Sequence, residues 1–133
     1  AGARRSARQM TLVLLTPGLV EAIHDSVLTP GERPRRAPGK SLESALARVD
    51  NRLAYDMIGD VFDLAAAYAV AIARGPCFDD GNKRTAFRTM NAVLALNGIQ
   101  IDWDTVETGD VIIRAAQGHL DEGELAHWLR RRS

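Results

Sequence analysis

The sequence predicts a mainly α-helical bundle around a central pair of apolar helices, with a minor two-stranded β element at its edge. Three observations support this fold class. Apolar residues recur at helical spacing over most of the chain, alanine dominates two long segments, and glycine or proline marks several helix ends. The chain has 133 residues, of which 46% are apolar, so we expect one packed domain over residues 10–133.

The N-terminal half is predicted to hold one strand and three helices. Branched apolar residues at 11–15 favour a strand, and Thr16 before Pro17 is a usual helix start. Ser41 caps the second helix, and Asp60 begins the third, which is the most apolar and therefore central. The predicted bounds are 11–15 for the strand, then 17–28, 42–49 with a further turn or two, and 62–74 for the helices.

The C-terminal half is predicted to hold three helices and a second strand. The first helix begins within residues 82–85 and runs to Leu96, where Asn97 and Gly98 stop it. Apolar residues then alternate with polar ones over residues 99–103, which is typical of a half-buried strand that pairs with the first strand. Two more helices follow. One covers residues 105–117 and stops before Gly118. The other begins with a capping box formed by Asp121 and Glu124 and ends at Arg130.

Composition narrows the class of protein. Seventeen basic and seventeen acidic side chains cancel, so we expect no direct binding to nucleic acid and no attraction to a membrane surface. The lone Cys77 excludes an internal disulfide, and no apolar run is long enough to span a bilayer, so we expect a cytoplasmic protein. Residues 1–9, which precede Met10, are expected to be a poorly ordered extension.

A cluster of charged and polar residues lies between the two most alanine-rich patterns. Glycine allows backbone to approach a ligand, a helix start offers N–H groups, and Lys83 with Arg84 adds positive charge. Asp80, with Asp79 as a second candidate, supplies the carboxylate that Mg²⁺ prefers beside nucleotide phosphates. An acidic helix cap before a solvated cationic turn is the alternative interpretation. The cluster reads Phe78-Asp79-Asp80-Gly81-Asn82-Lys83-Arg84.

The segment Phe78-x-Asp80-Gly81-Asn82-Lys83-Arg84-Thr85-Ala86 resembles the signature loop of the Fic/Doc family, His-x-Phe-x-(Asp/Glu)-(Gly/Ala)-Asn-(Gly/Lys)-Arg. The lysine after the asparagine is similar to the Doc (death on curing) branch, the toxins of Phd/Doc toxin–antitoxin pairs. Residues 41–48, 63–68 and 95–98 are also similar to Doc-like sequences. The resemblance extends over about residues 10–130.

This resemblance implies a Fic/Doc-like helical bundle that uses ATP and Mg²⁺. It further implies transfer of the ATP γ-phosphate to a threonine of elongation factor Tu, which stops translation, and inhibition by a cognate Phd-like antitoxin. The roles implied are Mg²⁺ binding for Asp80, nucleotide or phosphate binding for Gly81, contact with phosphate or loop backbone for Asn82, phosphate binding for Lys83, phosphate binding and catalysis for Arg84, and a structural core anchor for Phe78.

One position departs from the family pattern. The motif histidine, which acts as the general base, is replaced by Pro76, which has no titratable group. Three explanations of this residue are open: an engineered or selected detoxified variant, a natural pseudoenzyme, or a mechanism without that base. We expect impaired catalysis. Two other functions stay open, namely AMP transfer and a catalytically dead module that binds an antitoxin or partner helix. The basic loop at 29–40 either docks the protein target or is solvated chain.

Overall fold

A computed structural model of the chain describes residues 11–34, 42–75 and 77–133, and within these ranges it is mainly helical. The predicted mainly α fold is confirmed. Every predicted helix is present, and the second includes the further turn that the sequence indicated, whereas the last ends at Arg132 and not at Arg130. The six helices of the described residues are α1 (Pro17–Val27), α2 (Leu42–Ala54), α3 (Val61–Arg74), α4 (Asn82–Leu96), α5 (Thr105–Ala116) and α6 (Glu122–Arg132).

Helix α3 lies at the centre of the bundle. Ten consecutive residues, from Leu64 to Ala73, are buried, so the helix is covered on all sides. Six of the ten are alanines, whose short side chains let neighbouring helices approach closely. Helix α4 shares the largest contact with α3, whereas α2, α5 and α6 also pack on α3 and α1 packs on α4. The predicted central apolar pair is therefore α3 and α4.

The residues predicted to begin helices form capping hydrogen bonds in the structure. Thr16 Oγ1 accepts from the Leu19 N–H at 3.2 Å, and the Asp60 carboxylate accepts from the Asp63 N–H at 2.9 Å. Asp121 and Glu124 form a complete capping box at α6. Each of these bonds satisfies an N–H group that has no partner inside its own helix. The predicted Ser41 cap lies outside the described residues, as does the extension at 1–9.

The prediction of two paired strands is wrong for the described residues. Segments 11–15 and 99–103 contain no strand residue, and residues 11 and 12 lie in a turn and a bend. The Asn97 side chain replaces the missing ladder, because its Oδ1 accepts from the Val13 N–H at 2.8 Å and its Nδ2 donates to the Val13 carbonyl at 3.2 Å. The Leu15 N–H donates to the Tyr68 hydroxyl at 3.0 Å, which ties the first segment to α3. No described helix combines the length and apolar character needed to cross a membrane.

Candidate phosphate and metal site

The loop between α3 and α4 carries the predicted cluster. Gly81 ends this loop in the left-handed region, with φ at +80°, and is the N-cap of α4. A side chain at this position would be strained, since L-residues rarely adopt that conformation. Gly81 has no side chain and provides no side-chain cap, so the N-cap residue leaves the first N–H groups of α4 without a side-chain acceptor. Pro76, near the start of the loop, lies outside the described residues.

Asn82 holds the loop closed. Its Oδ1 accepts from the Phe78 N–H at 3.1 Å, and its Nδ2 donates to the Phe78 carbonyl at 2.8 Å. Of the two roles implied for Asn82, the structure therefore gives it the contact with loop backbone. Phe78 itself is buried, with 2% of its surface exposed. The side chain of Thr85 adds a third tie, donating to the Gly81 carbonyl at 2.7 Å.

The two cations of the cluster lie in different surroundings. Lys83 is exposed, whereas Arg84 is half-buried and engaged by the segment that follows α1. One Arg84 amino group donates to the Val27 carbonyl at 2.7 Å, and the other donates to the Glu32 carboxylate at 2.5 Å. The hydrogen bond from Arg84, helped by the Thr29 N–H, lowers the pKa of Glu32 to about 2. The same bond raises the pKa of Arg84, so this pair stays charged over the physiological range.

Asp80 is held at both its backbone and its side chain. Its carbonyl lies 2.7 Å from His24 Nε2, and its Oδ2 accepts from the Arg33 N–H at 3.0 Å. Asp79 is half-buried beside it. Among the residues that the structure describes, no group of three or more His, Cys, Asp or Glu side chains could hold a metal ion. One or two carboxylates together with substrate phosphates are the usual protein setting for Mg²⁺, so Asp80 and Asp79 fit that ion only in company with a nucleotide.

Two residues of this site were missed by sequence reasoning. His24 belongs to no motif of the sequence, and the structure shows that it is buried against the loop. Glu32 was overlooked because its segment was classified by its cations. No short-range signal marks either residue, since their partners in the cluster lie 56 and 52 positions further along the chain. Residues 35–40 of the same segment lie outside the described residues.

A cavity of about 880 Å³ opens beside the cluster, between α1, α4 and α5. Its walls are largely apolar, and Lys83, Arg84 and Arg88 contribute positive charge. Trp103 is oriented by a 3.0 Å hydrogen bond from its Nε1 to Asn91 Oδ1. The apolar and aromatic lining residues include Val27, Phe87, Trp103, Ile112 and Ile113.

Comparison with known proteins gives two matches. A model described as the Fic/DOC family matches residues 14–94, which include the whole cluster. The chain is also similar to the protein kinase doc of Escherichia phage P1, with 36% identity over 118 residues. That alignment covers 88% of this chain and 93% of the phage protein.

Proposed function

The chain belongs to the Fic/Doc family, and on this premise we propose that it is a Doc-type toxin whose ancestral activity moves the γ-phosphate of ATP to a protein hydroxyl. We take a threonine of elongation factor Tu as the acceptor and the cytoplasm as the place of action. The observation that carries the proposal is the meeting of Asp80, Lys83 and Arg84 at the uncapped start of α4. The phage relative, whose name contains protein kinase, supports phosphate transfer over AMP transfer.

Different residues of the chain have different roles in binding the nucleotide. Asn82 keeps the loop closed, and we expect the first N–H groups of α4 to bind the nucleotide phosphates in that arrangement. Lys83 and Arg84 neutralise charge on those phosphates, which is the main catalytic contribution in phosphoryl transfer. A guanidinium has five N–H donors, and the contacts to Val27 and Glu32 use two of them, so Arg84 can bind phosphate without leaving both partners.

Asp80, with Asp79 beside it, would hold Mg²⁺ once nucleotide phosphates complete the ligand set. The ion would supply positive charge that offsets the negative charge of the phosphates. In the transfer, the threonine oxygen forms a bond to the γ-phosphorus, and the bond from that phosphorus to the bridging oxygen breaks to release ADP. The hydroxyl proton leaves the threonine oxygen in this step and, because this chain has proline at the position of the histidine, it passes to solvent water.

Pro76 occupies the position from which a histidine would take that proton. Loss of a positioned general base costs on the order of 10² to 10⁴ in rate. We therefore propose that this chain binds nucleotide but transfers phosphate weakly. The residues proposed to bind phosphate and metal, Asp80, Lys83 and Arg84, lie on α4 and at the end of its loop.

The decisive experiment compares the chain with its Pro76→His and Pro76→Ala variants, using γ-labelled ATP, Mg²⁺ and elongation factor Tu. We expect Pro76→His to transfer label faster by on the order of 10² to 10⁴, and Pro76→Ala to stay as slow as the parent. A double variant that carries both Pro76→His and Arg84→Ala should not regain phosphate transfer. Intact-mass analysis of the target separates phosphate from AMP addition. A Pro76→His protein that binds ATP but transfers neither group would refute the enzymatic proposal.

A second candidate function is a binding module for a cognate Phd-like antitoxin, and the cavity beside the cluster favours it. Its apolar walls suit one face of a helix, and its cations Lys83, Arg84 and Arg88 suit acidic side chains on that helix. Calorimetry with an acidic, amphipathic antitoxin segment tests this function. Binding that survives in the absence of any measurable nucleotide affinity would make the module the better description.

A further inference from the structure

His24 is buried directly against the loop of the candidate site. None of its surface is exposed, and its ring stacks on the Phe78 ring with centroids 3.7 Å apart and planes within 7° of parallel. Its Nε2 lies 2.7 Å from the Asp80 carbonyl. A single side chain from α1 therefore contacts the loop on both sides of Asp79.

The contact with Asp80 determines which ring nitrogen carries a proton. A carbonyl oxygen can only accept, so Nε2 must be the donor in this bond. The other nitrogen, Nδ1, lies 3.3 Å from the carboxylate of Asp25, which is largely exposed. The functional end of the ring is thus the one that points into the protein, toward the loop.

We propose that His24 is a positioning residue for the metal-binding carboxylate. Its bond to the Asp80 carbonyl fixes that peptide, and the Arg33 N–H donates to the Asp80 carboxylate. Gly81 follows in the left-handed conformation, with the position of a side chain there 3.7 Å from His24 Cδ2. The ring therefore braces the turn that aims Asp80 at the ion. This inference rests on the proposed function, because the role of Asp80 in binding Mg²⁺ is part of it.

Two substitutions separate the hydrogen bond from the packing. His24→Phe keeps an aromatic ring that can stack on Phe78 but removes the donor to Asp80. His24→Gln keeps a donor at a position close to that of Nε2 but removes the ring. If His24 acted only by filling space, the phenylalanine variant would behave like the parent chain and the glutamine variant would be the damaged one.

The first measurement is the affinity for ADP by calorimetry, with and without Mg²⁺. We expect the increment in affinity due to Mg²⁺ to fall about 10- to 100-fold in His24→Phe and only a few-fold in His24→Gln, since residues that orient metal ligands carry effects of that size. Affinity without Mg²⁺ should change little, because Lys83 and Arg84 remain. The control is Leu125→Ala, a buried change in α6 that lowers stability at a distance from α1 and should leave the Mg²⁺ increment unaltered.

The second measurement is amide hydrogen exchange at the loop, which requires no nucleotide. The Phe78 N–H should exchange at least about 10-fold faster in His24→Phe than in His24→Gln, compared at equal global stability. Equal exchange in the two variants, or an unchanged Mg²⁺ increment in His24→Phe, would overturn the positioning role. If the parent chain shows no Mg²⁺-dependent nucleotide binding, the proposed function fails, and the exchange result alone decides whether His24 braces the loop.

Discussion

The clearest test of the loop is the removal of its closing side chain by Asn82→Ala. This change deletes two hydrogen bonds, one to the Phe78 N–H at 3.1 Å and one to the Phe78 carbonyl at 2.8 Å. A typical hydrogen bond contributes about 1 kcal/mol, and a buried group left unpaired adds to the loss, so the expected destabilisation is about 2 to 3 kcal/mol. The cost exceeds that of an ordinary polar surface change because Phe78 is buried.

This destabilisation translates into a measurable shift in Tm. A chain of 133 residues has an unfolding entropy of roughly 0.28 kcal/mol/K, so a loss of about 2 kcal/mol lowers Tm by about 7 °C. Circular dichroism measures that shift. The same free energy, if it acts on local opening of the loop, accelerates exchange of the Phe78 amide about 30-fold.

The matched control is Asn51→Ala, at an exposed position of α2, for which we expect a change within about 0.5 kcal/mol. A Tm for Asn82→Ala within about 2 °C of the parent, together with unchanged Phe78 exchange, would refute the reasoning. That result would mean that the loop keeps its shape through other contacts and that Asn82 does not close it.

Two further predictions concern the Glu32 carboxylate and the core. Glu32 should titrate in the folded chain with a pKa of about 2, against an ordinary value of 4.5. The stability that its contact with Arg84 contributes is therefore fully present above about pH 4.5 and is lost as the pH falls toward 2. A carboxyl NMR titration measures the pKa of Glu32. In Arg84→Ala the titration midpoint of Glu32 should return toward 4.5, and a midpoint near 4.5 in the parent chain would contradict the prediction. Leu64→Ala, at a fully buried position of α3, should cost about 2 to 5 kcal/mol in chemical denaturation. Leu19→Ala, where the side chain is exposed, should change little, and equal costs at the two sites would contradict the placement of the core.

Local sequence signals were sufficient for the helices. Caps such as Thr16 and Asp60 act within three residues of themselves, so their hydrogen bonds can be predicted from a short window. The long apolar run of α3 likewise predicts a central helix, since a helix apolar on all faces must be buried. The motif residues from Phe78 to Arg84 were also found from the sequence, because they adjoin one another.

Strand pairing was beyond the reach of those signals. Residues 99–103 do alternate, with Ile99, Ile101 and Trp103 partly buried and the residues between them exposed. Alternation predicts which side chains face the core, but it does not say whether a second strand lies within hydrogen-bonding distance. In this chain the Asn97 amide takes the Val13 backbone groups instead.

The sequence by itself determined the helical bundle, the central pair of helices and the residues gathered at the start of α4. Only the tertiary structure decided what holds those residues in place. His24 meets Asp80 across 56 positions and Glu32 meets Arg84 across 52, because α1 packs on α4 and brings the segment after it over the site. Contacts of this kind depend on how the helices pack, and no periodicity or cap within a short segment encodes that packing.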